Sequence, residues 1–508
     1  MSRSRSRWIF LAAALGLATV AGAGEPASES FDLVLAGGRV LDPESKLDAV
    51  RNLGIRAGRI AAISEAPLMG SETLDVSGLA VAPGFIDLHV HGQDPQSWSL
   101  MARDGVTTAL DLELGAQPVD GFYAAREGSA LIHYGVAAGH IPARVKVKHG
   151  FDVGHPPTRE IYGDGGVLAW LAEIFQRFYR PTGWAQEPAN PEEIEELLAI
   201  LAEGLDQGGI GIGLGIAYTP GANDEEIRAV FALAAERGVP CFVHMGAQQR
   251  PDDLAPLEAA AAHASATGAS LHVMHVTSST LDAAPAALER ISALQAEGLD
   301  VTVEAYPYPA ASTAIESALF DEGWREKRGI DYADLQWVAS GERLTAESFA
   351  KYRKQGGSVI IFSMKPENVD AAIAHPLVML ASDGMPMLHG GEHPRGAGAH
   401  ARVLGYYARE RGLVSLMDAV EKLSLMPARR LEGFVPAMRD KGRVRVGADA
   451  DLTIFDPDTV IDRATFEDSH QPSDGIAHVL VAGTLVVREG EVVPDTFPGQ
   501  GIRTTASP

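Results

Sequence analysis

The middle of the chain, roughly residues 83–440, alternates two kinds of hydrophobic pattern. Short apolar runs such as GVTTALDLELG, GIGIGLGI, GVPCFVHM, GSVIIFSM and LVMLASDG are typical of strands buried on both faces of a parallel sheet. Amphipathic runs lie between them, and NPEEIEELLAILAEGLDQG begins with Asn190 as a helix N-cap and Pro191 at the first helical position. About eight such βα units predict an α/β fold, namely a (β/α)8 TIM-like barrel.

The two ends of the chain have a different pattern, made of short strand-like runs and tight turns. Residues 24–82 contain two pairs with hairpin chemistry, Gly37-Gly38 and Ala57-Gly58. Residues 441–495 have the same texture, with runs such as GIAHVLVAGTLVVREGEVV. We therefore expect one discontinuous domain of β-strands formed by both termini, followed by a short irregular tail over residues 496–508.

The first residues carry a targeting pattern. Three arginines within the first seven residues precede an apolar run over residues 8–20, and the small residues at 21–23 fit a cleavage site. The run is short for a membrane-spanning helix, which needs about 20 apolar residues. Residues 1–23 are predicted to be a cleavable signal peptide, so we expect a periplasmic or secreted protein with no stable membrane span after cleavage.

Composition and charge narrow the classes of function. The chain has 508 residues, of which 46% are hydrophobic, so it is long enough for more than one structural unit. Its formal net charge is −25 and it has no basic patch, which argues against binding nucleic acid. The lone cysteine, Cys241, excludes an internal disulfide. A homo-oligomer is compatible with the sequence.

Candidate metal ligands stand where the strand-like runs end. His89 and His91 lie two residues apart in GFIDLHVH, so on a strand both imidazoles point to one face. Such a pair alone is weak evidence, but His244, His275 and Asp383 also stand at the carboxyl ends of apolar runs. Barrel enzymes carry their chemistry at this end of the strands. Imidazole and carboxylate ligands suit zinc, and also manganese or iron.

Two of these assignments have alternatives. His272 competes with His275 for one ligand position, and we favour His275 because it lies nearer the strand end. Asp383 is placed to take a proton from a metal-activated water and pass it to the leaving group. Its alternative role is that of a turn residue, since the SDG sequence has turn chemistry.

Long strings of the sequence resemble the amidohydrolase superfamily and, within it, the N-acyl-D-amino-acid deacylases, or D-aminoacylases. The strings are GFIDLHVH, EAYPYPAAST, ASDGMP, HPRGAGAHARVLGYYARERGLVSLMDAV and GADADLTIFDPDTVIDRATFEDSHQPSDGI, and the similarity covers nearly the whole mature chain. The resemblance implies a barrel that uses one or two divalent metal ions, typically zinc, and a β-sandwich made from both termini. It also implies metal-site roles for His89, His91, His244, His275 and Asp383.

The chain departs from this family on the predicted second barrel strand. Family members usually carry a metal-binding cysteine there, whereas this chain has Leu114 with Glu113 beside it. A carboxylate at this strand end could bridge two metals, so we predict that Glu113 is a ligand; the alternative is a solvated strand-end acid. Other amidohydrolases use a carboxylated lysine on the fourth strand, and GIGIGLGI contains none.

The resemblance further implies a substrate that is a small N-acyl amino acid. It assigns Arg395, Tyr306 and Ser312 to the substrate carboxylate, and the planar guanidinium of an arginine suits that role. Thr277 stands where the family often has a lysine, which favours apolar or aromatic side chains over acidic ones. The alternatives are cyclic amides, L-configured or peptide-like aromatic amides, and a non-catalytic periplasmic binding protein.

Overall fold

The computed structural model describes residues 30–150, 152, 183–388 and 391–504. The predicted signal peptide, residues 1–23, lies outside the described residues, and the predicted export stays a prediction. The strands are β1 Phe31–Asp42, β2 Leu47–Arg56, β3 Arg59–Ser64, β4 Gly70–Asp75, β5 Ala80–Pro83, β6 Phe85–Asp87, β7 Val106–Ala116, β8 His133–Gly139, β9 Ile212–Gly215, β10 Cys241–His244, β11 Leu271–Val273, β12 Val301–Ala305, β13 Ala311–Ala314, β14 Leu335–Trp337, β15 Ser358–Ile361, β16 Val378–Leu380, β17 Leu452–Phe455, β18 Ile476–Val481, β19 Thr484–Arg488 and β20 Glu491–Val492.

Helices connect most of the barrel strands. They are α1 Pro95–Arg103, α2 Val119–Ala124, α3 His140–His149, α4 Pro191–Asp206, α5 Asp224–Arg237, α6 Ala255–Thr267, α7 Val276–Thr280, α8 Ala284–Ala296, α9 Trp324–Arg328, α10 Ala346–Gln355, α11 Pro366–Ala374, α12 Arg395–Arg402, α13 Leu416–Val420 and α14 Met426–Leu431. No helix in the described part of the chain is long and apolar enough to cross a membrane.

The barrel predicted from the alternating pattern is confirmed. Within the described residues, eight parallel strands follow the order β6-β7-β8-β9-β10-β11-β12-β16. The two ends of this sheet meet where the Asp383 amide donates to the His89 carbonyl oxygen over 2.7 Å and the Ser382 amide donates to Asp87 Oδ1 over 3.1 Å. The barrel thus closes next to two of the candidate functional residues, His89 and Asp383.

Helix α4 shows how the local sequence sets an element of the barrel. The side chain of Asn190 accepts a hydrogen bond from the Glu193 amide over 3.0 Å, and the Glu193 carboxylate accepts one from the Asn190 amide over 2.8 Å. This capping box satisfies two amides that the first helical turn leaves unpaired. Residues spaced three or four apart, among them Leu197 and Leu201, are buried against the barrel. The predicted N-cap is confirmed.

The strands from the two chain ends form a separate β-sheet unit, as expected. In the described residues this sheet has nine strands in the order β20-β19-β18-β17-β5-β1-β2-β3, with β4 paired to β1. Strand β5 joins the two halves, because it is antiparallel to β17 along one edge and parallel to β1 along the other. The core of this terminal sheet includes Leu35, Leu53, Ile454 and Leu480.

The Gly37-Gly38 pair lies inside β1 rather than in a hairpin turn between strands. Residues Phe31–Asp42 form one strand, and its register with β2 shifts between Leu35 and Gly38. Gly37 has a φ of +76°, in the left-handed region that favours glycine. At this bulge β1 exchanges β4 for β5 as its parallel neighbour. The bulge therefore lets one strand serve two parts of the sheet.

An insertion between β12 and β16 was not anticipated. In the described residues it has a three-stranded antiparallel sheet of order β13-β15-β14, over a core that includes Phe320, Trp324, Phe349 and Trp337. The apolar run GSVIIFSM, expected among the barrel strands, forms β15 of this insertion. That expectation was wrong because a short apolar run looks alike in a barrel and in an antiparallel sheet.

The predicted tail packs against the barrel over part of its length. The Ile502 amide donates to the Tyr134 carbonyl oxygen over 2.7 Å, and the Tyr123 hydroxyl donates to the Ile502 carbonyl oxygen over 2.6 Å. The Ile502 side chain is buried. Residues near 500 thus contact barrel strand β8 although they carry little regular secondary structure.

Candidate metal centre

The carboxyl ends of five barrel strands carry the candidate ligands. A carboxyl end is where a parallel strand gives way to a loop, so side chains from neighbouring strands converge there. The residues that meet at this point are His89 and His91 after β6, Glu113 on β7, His244 at the end of β10, His275 after β11 and Asp383 after β16.

Glu113 lies between two groups of imidazoles and contacts both. Its Oε2 is 2.5 Å from His89 Nε2 and 3.2 Å from His91 Nε2. Its Oε1 is 2.5 Å from His244 Nδ1 and 3.5 Å from His275 Nε2. One carboxylate therefore offers one oxygen to each group, which is the arrangement that a ligand bridging two metal ions needs.

Asp383 completes the first group. Its Oδ1 lies 3.4 Å from His89 Nε2 and 3.6 Å from His91 Nε2. Its φ is +53°, a left-handed value uncommon outside glycine, asparagine and aspartate, and the hydrogen bond of its amide to the His89 carbonyl oxygen holds it there.

Two clusters in the described part of the chain have the composition and spacing to hold a metal ion. Within each cluster the ligand atoms lie within 4.8 Å of one another. The first cluster is His89, His91, Glu113 and Asp383, and the second is Glu113, His244 and His275. Together they contain every residue that the sequence suggested as a metal ligand.

The electrostatics of the clusters fit a bound cation. Burial alone would lower the pKa of His91, but Asp111 and Glu113 outweigh it and raise that pKa to about 10. Burial likewise opposes a charge on His89, yet Asp383 and Glu113 hold its pKa well above the ordinary value. The carboxylates thus stabilise positive charge at this buried site. A divalent ion supplies that charge with neutral imidazoles as ligands, so the donor set fits zinc or a similar metal.

Two fully buried carboxylates orient the ligands from behind, and the sequence reasoning missed both roles. Glu304 Oε1 accepts from His89 Nδ1 over 3.0 Å and from the His275 amide over 2.6 Å. Asp87 Oδ1 accepts from the His89 amide over 3.1 Å. A hydrogen bond at Nδ1 leaves Nε2 of His89 free to coordinate. Asp87 lies in the same GFIDLHVH string as two of the ligands, and Glu304 stands near the end of a strand-like run. The positions of both residues could therefore have indicated a role at the site.

Two neighbouring residues point away from the clusters. His272, the alternative to His275, has its Nδ1 2.7 Å from Thr302 Oγ1 and belongs to neither group. Leu114, at the position of the expected cysteine, packs against the apolar cluster of Ile141 and Val145. The side chains of adjacent strand residues face opposite ways, so Glu113 points to the site and Leu114 does not.

The residues expected to bind the substrate carboxylate lie together beside Asp383. Arg395 Nη1 is 2.9 Å from Asp383 Oδ2, and the guanidinium lies over the Tyr306 ring, 4.6 Å from its centroid. Ser312 takes part through its main chain, because Arg395 Nη2 donates to the Ser312 carbonyl oxygen over 3.4 Å. Arg395 is fully buried. A buried guanidinium next to the clusters is a ready partner for an anionic group of a substrate.

Comparison with known proteins gives concordant similarities. Residues 155–487 match the sequence profile described as "Amidohydrolase family". The chain is 30% identical over 504 residues to an N-acyl-D-glutamate deacylase of Alcaligenes xylosoxydans xylosoxydans, covering 94% of this chain and 98% of that relative. It is 31% identical over 515 residues to a D-aminoacylase of the same organism, covering 93% and 97%.

A solved structure is similar over most of the chain. It is the N-acyl-D-glutamate deacylase from Bordetella bronchiseptica, complexed with zinc and a phosphonate inhibitor that mimics the tetrahedral intermediate of the reaction. Its TM-score is 0.75 at 27% sequence identity, and the match covers 94% of this chain and 100% of that one.

Proposed function

Because the chain belongs to the amidohydrolase family, in its N-acyl-D-amino-acid deacylase branch, we propose that it hydrolyses the amide bond of N-acyl-D-amino acids with metal bound at Glu113. The observation that carries this proposal is the position of Glu113 between two clusters of imidazoles, with the Arg395 guanidinium a few ångströms away on Asp383. Metal held by the two clusters can activate a water, and the Arg395 guanidinium can hold an amino-acid carboxylate.

The residues present fit one or two zinc-like ions. Glu113, His244 and His275 would hold one ion, and His89, His91 and Asp383 with Glu113 would hold another. Such an ion lowers the pKa of a water molecule and polarises an amide carbonyl. Zinc is supported by the zinc in the related Bordetella structure and by the mixed imidazole and carboxylate ligands.

Asp383 has the position of the group that moves the proton. Its Oδ1 faces the imidazoles of His89 and His91, where a water would attack the amide carbon. The carboxylate takes one proton from this water as the carbon–oxygen bond forms. It then gives that proton to the amide nitrogen as the carbon–nitrogen bond breaks, which leaves a carboxylic acid and a free amine.

Arg395 gives the reaction its preference for an open-chain acid. Its guanidinium contacts Asp383, the Tyr306 ring and the Ser312 carbonyl oxygen, so it is held in place before a substrate arrives. An α-carboxylate bound there lies beside the group that carries the proton, and the scissile amide is two bonds from it. Cyclic amides lack this free carboxylate, and therefore the site favours N-acyl amino acids over them.

The test combines metal analysis with a substrate panel. Elemental analysis of the purified protein is expected to find at least one zinc-like ion per chain. Release of free amine is then followed with N-acetyl-D- and N-acetyl-L-amino acids, and ring opening to the N-carbamoyl acid is followed with hydantoin and with dihydroorotate. We expect activity on the D series, loss with a chelator and recovery with added zinc. Full activity without metal, or activity confined to the cyclic or L-configured compounds, would contradict the proposal.

A further inference from the structure

Arg328 is a charged side chain at the site for which neither the fold nor the proposed reaction accounts. It is the last residue of α9, and its Nε is buried without a hydrogen-bond partner. No carboxylate in the described part of the chain forms an ion pair with it. Arg325, in the same helix, shows the usual situation: its side chain is partly exposed and its Nη1 lies 3.2 Å from Asp331 Oδ1.

The surroundings of α9 place Arg328 at the mouth of the barrel. The next residue, Gly329, is so close to Pro251 that a Cβ on it would lie 2.8 Å from Pro251 Cγ. Pro251 belongs to the loop that follows β10, the strand that ends at His244. The helix therefore packs on a loop that leaves the metal-binding end of the barrel.

Two tyrosines connect Arg328 to the site. The Tyr218 ring lies 4.7 Å from the His244 ring, and its hydroxyl is 3.0 Å from Thr313 Oγ1 of the insertion. The Tyr306 ring lies below the Arg395 guanidinium, 6.3 Å from the His275 ring. Ionisation of either tyrosine would raise the pKa of Arg328, so the guanidinium lies within electrostatic range of the two rings that line the site.

A guanidinium in this position lacks a counter-ion. Burial lowers the pKa of Arg328, and no neighbouring group in the described part of the chain raises it enough to cancel this effect. The residue keeps part of its surface exposed, but its Nε is removed from water without a partner, and such a cation is normally paired or meets its partner in a ligand. Arginine presents a planar fork that matches a carboxylate, so an anionic ligand would satisfy it.

We propose that Arg328 binds a second carboxylate of the substrate, that of its side chain, so that the enzyme acts on N-acyl derivatives of acidic D-amino acids. The inference rests on the proposed function. It assigns the α-carboxylate to Arg395, on one side of Tyr306, and the side-chain carboxylate to Arg328. The sequence favoured apolar side chains because Thr277 lacks a charge; Arg328 supplies a cation from another element of the fold.

The test compares substrates that differ in one charge. Wild-type enzyme is assayed on N-acetyl-D-glutamate, N-acetyl-D-glutamine and N-acetyl-D-leucine, since glutamine keeps the shape of glutamate without its charge. We expect kcat/KM for glutamate to exceed that for glutamine by about tenfold or more. Arg328→Met should remove most of this preference and change kcat/KM for glutamine and leucine by less than about threefold. Arg328→Lys should keep part of it, since it retains the charge without the fork.

Arg325→Met is the matched control, because it removes a guanidinium from the same helix at an exposed position. It should keep the preference for glutamate. Metal content and the melting curve establish that each variant is folded, and the wild-type comparison of glutamate with glutamine does not depend on any variant.

Four outcomes would overturn the inference while leaving the proposed function intact. Wild-type enzyme could prefer leucine, or treat glutamate and glutamine alike. Arg328→Met could retain the preference for glutamate. It could also lose activity equally on all three substrates, which would assign Arg328 to the α-carboxylate. If wild-type enzyme with bound metal hydrolyses no N-acyl-D-amino acid at all, the proposed function itself is wrong.

Discussion

At the scale of single residues, the site depends on the two oxygens of Glu113. Burial would raise the pKa of this carboxyl group, but His89 and His244 outweigh it and hold the pKa well below the ordinary value. The surroundings of Glu113 therefore favour its ionised form. An ionised, doubly engaged carboxylate is what a shared ligand of two ions requires.

Glu113→Gln should lower the metal content of the purified protein. The amide keeps the size of the side chain but loses the charge and one oxygen ligand, so both clusters are weakened together. Elemental analysis after dialysis measures the effect. Glu127→Gln, which removes an exposed carboxylate, serves as the control. Metal content and rate equal to wild type would exclude a bridging role for Glu113.

Asp383→Asn should leave the fold and most of the metal but reduce kcat by about 10²- to 10⁴-fold, the usual contribution of a positioned acid–base group. The amide cannot accept a proton from water, although its oxygen still occupies the first cluster. Steady-state rates with N-acetyl-D-amino acids, together with metal analysis, check this. A rate within a few-fold of wild type would assign the proton transfer to another group.

At the scale of elements, much of the barrel can be predicted from the sequence, but little of the structure that surrounds the site can. Helix α4 and its cap are local features, so their residues identify them directly. The role of Glu304 depends on contacts with His89 and with the His275 amide, far away along the chain. The position of Arg328 depends on how the insertion folds back onto the loop after β10. Such long-range contacts leave no periodic trace in the sequence.

Asn190→Ala should loosen the first turn of α4 without affecting the reaction. Loss of the side-chain cap typically costs about 1 kcal/mol, which corresponds to roughly fivefold faster exchange of amides that open locally. Hydrogen-exchange mass spectrometry of peptides covering Pro191–Asp206 measures this, and α5 with its own Asn223 cap is the internal control. Unchanged exchange in α4 would show that tertiary packing alone fixes the helix start.

At the scale of the whole molecule, a buried ionic network connects the terminal sheet to the barrel. Asp451, just before β17, accepts from Lys441 Nζ over 2.5 Å, from the Ala482 amide over 2.7 Å and from His133 Nε2 of barrel strand β8 over 3.2 Å. Burial would raise the pKa of Asp451, but Lys441 and His133 outweigh it and lower the pKa. The network thus stabilises the junction only while Asp451 is ionised.

The pH dependence follows from the direction of that shift. A lowered pKa in the folded state contributes stability above the ordinary aspartate value of 3.8, and this stability is lost as the pH falls below that value toward the folded-state pKa. The melting temperature of wild type should therefore drop below about pH 4. Asp451→Asn should melt lower at pH 7, because breaking a buried ion pair costs about 3–5 kcal/mol. It should also lose less on acidification, and a variant that follows the wild-type melting curve at every pH would contradict this role.

The pairing of β5 with β17 also sets an order of events during synthesis. Pro83 pairs with Leu452, so the strand that joins the terminal sheet waits for a partner translated much later. At about 5–20 residues per second, the roughly 370 residues between them take about 20–70 s to leave the ribosome. Throughout that time one edge of β5 is open to pairing with other chains. The nascent N-terminal strands therefore need either a chaperone or a rapidly folding barrel to cover them until the last strands arrive.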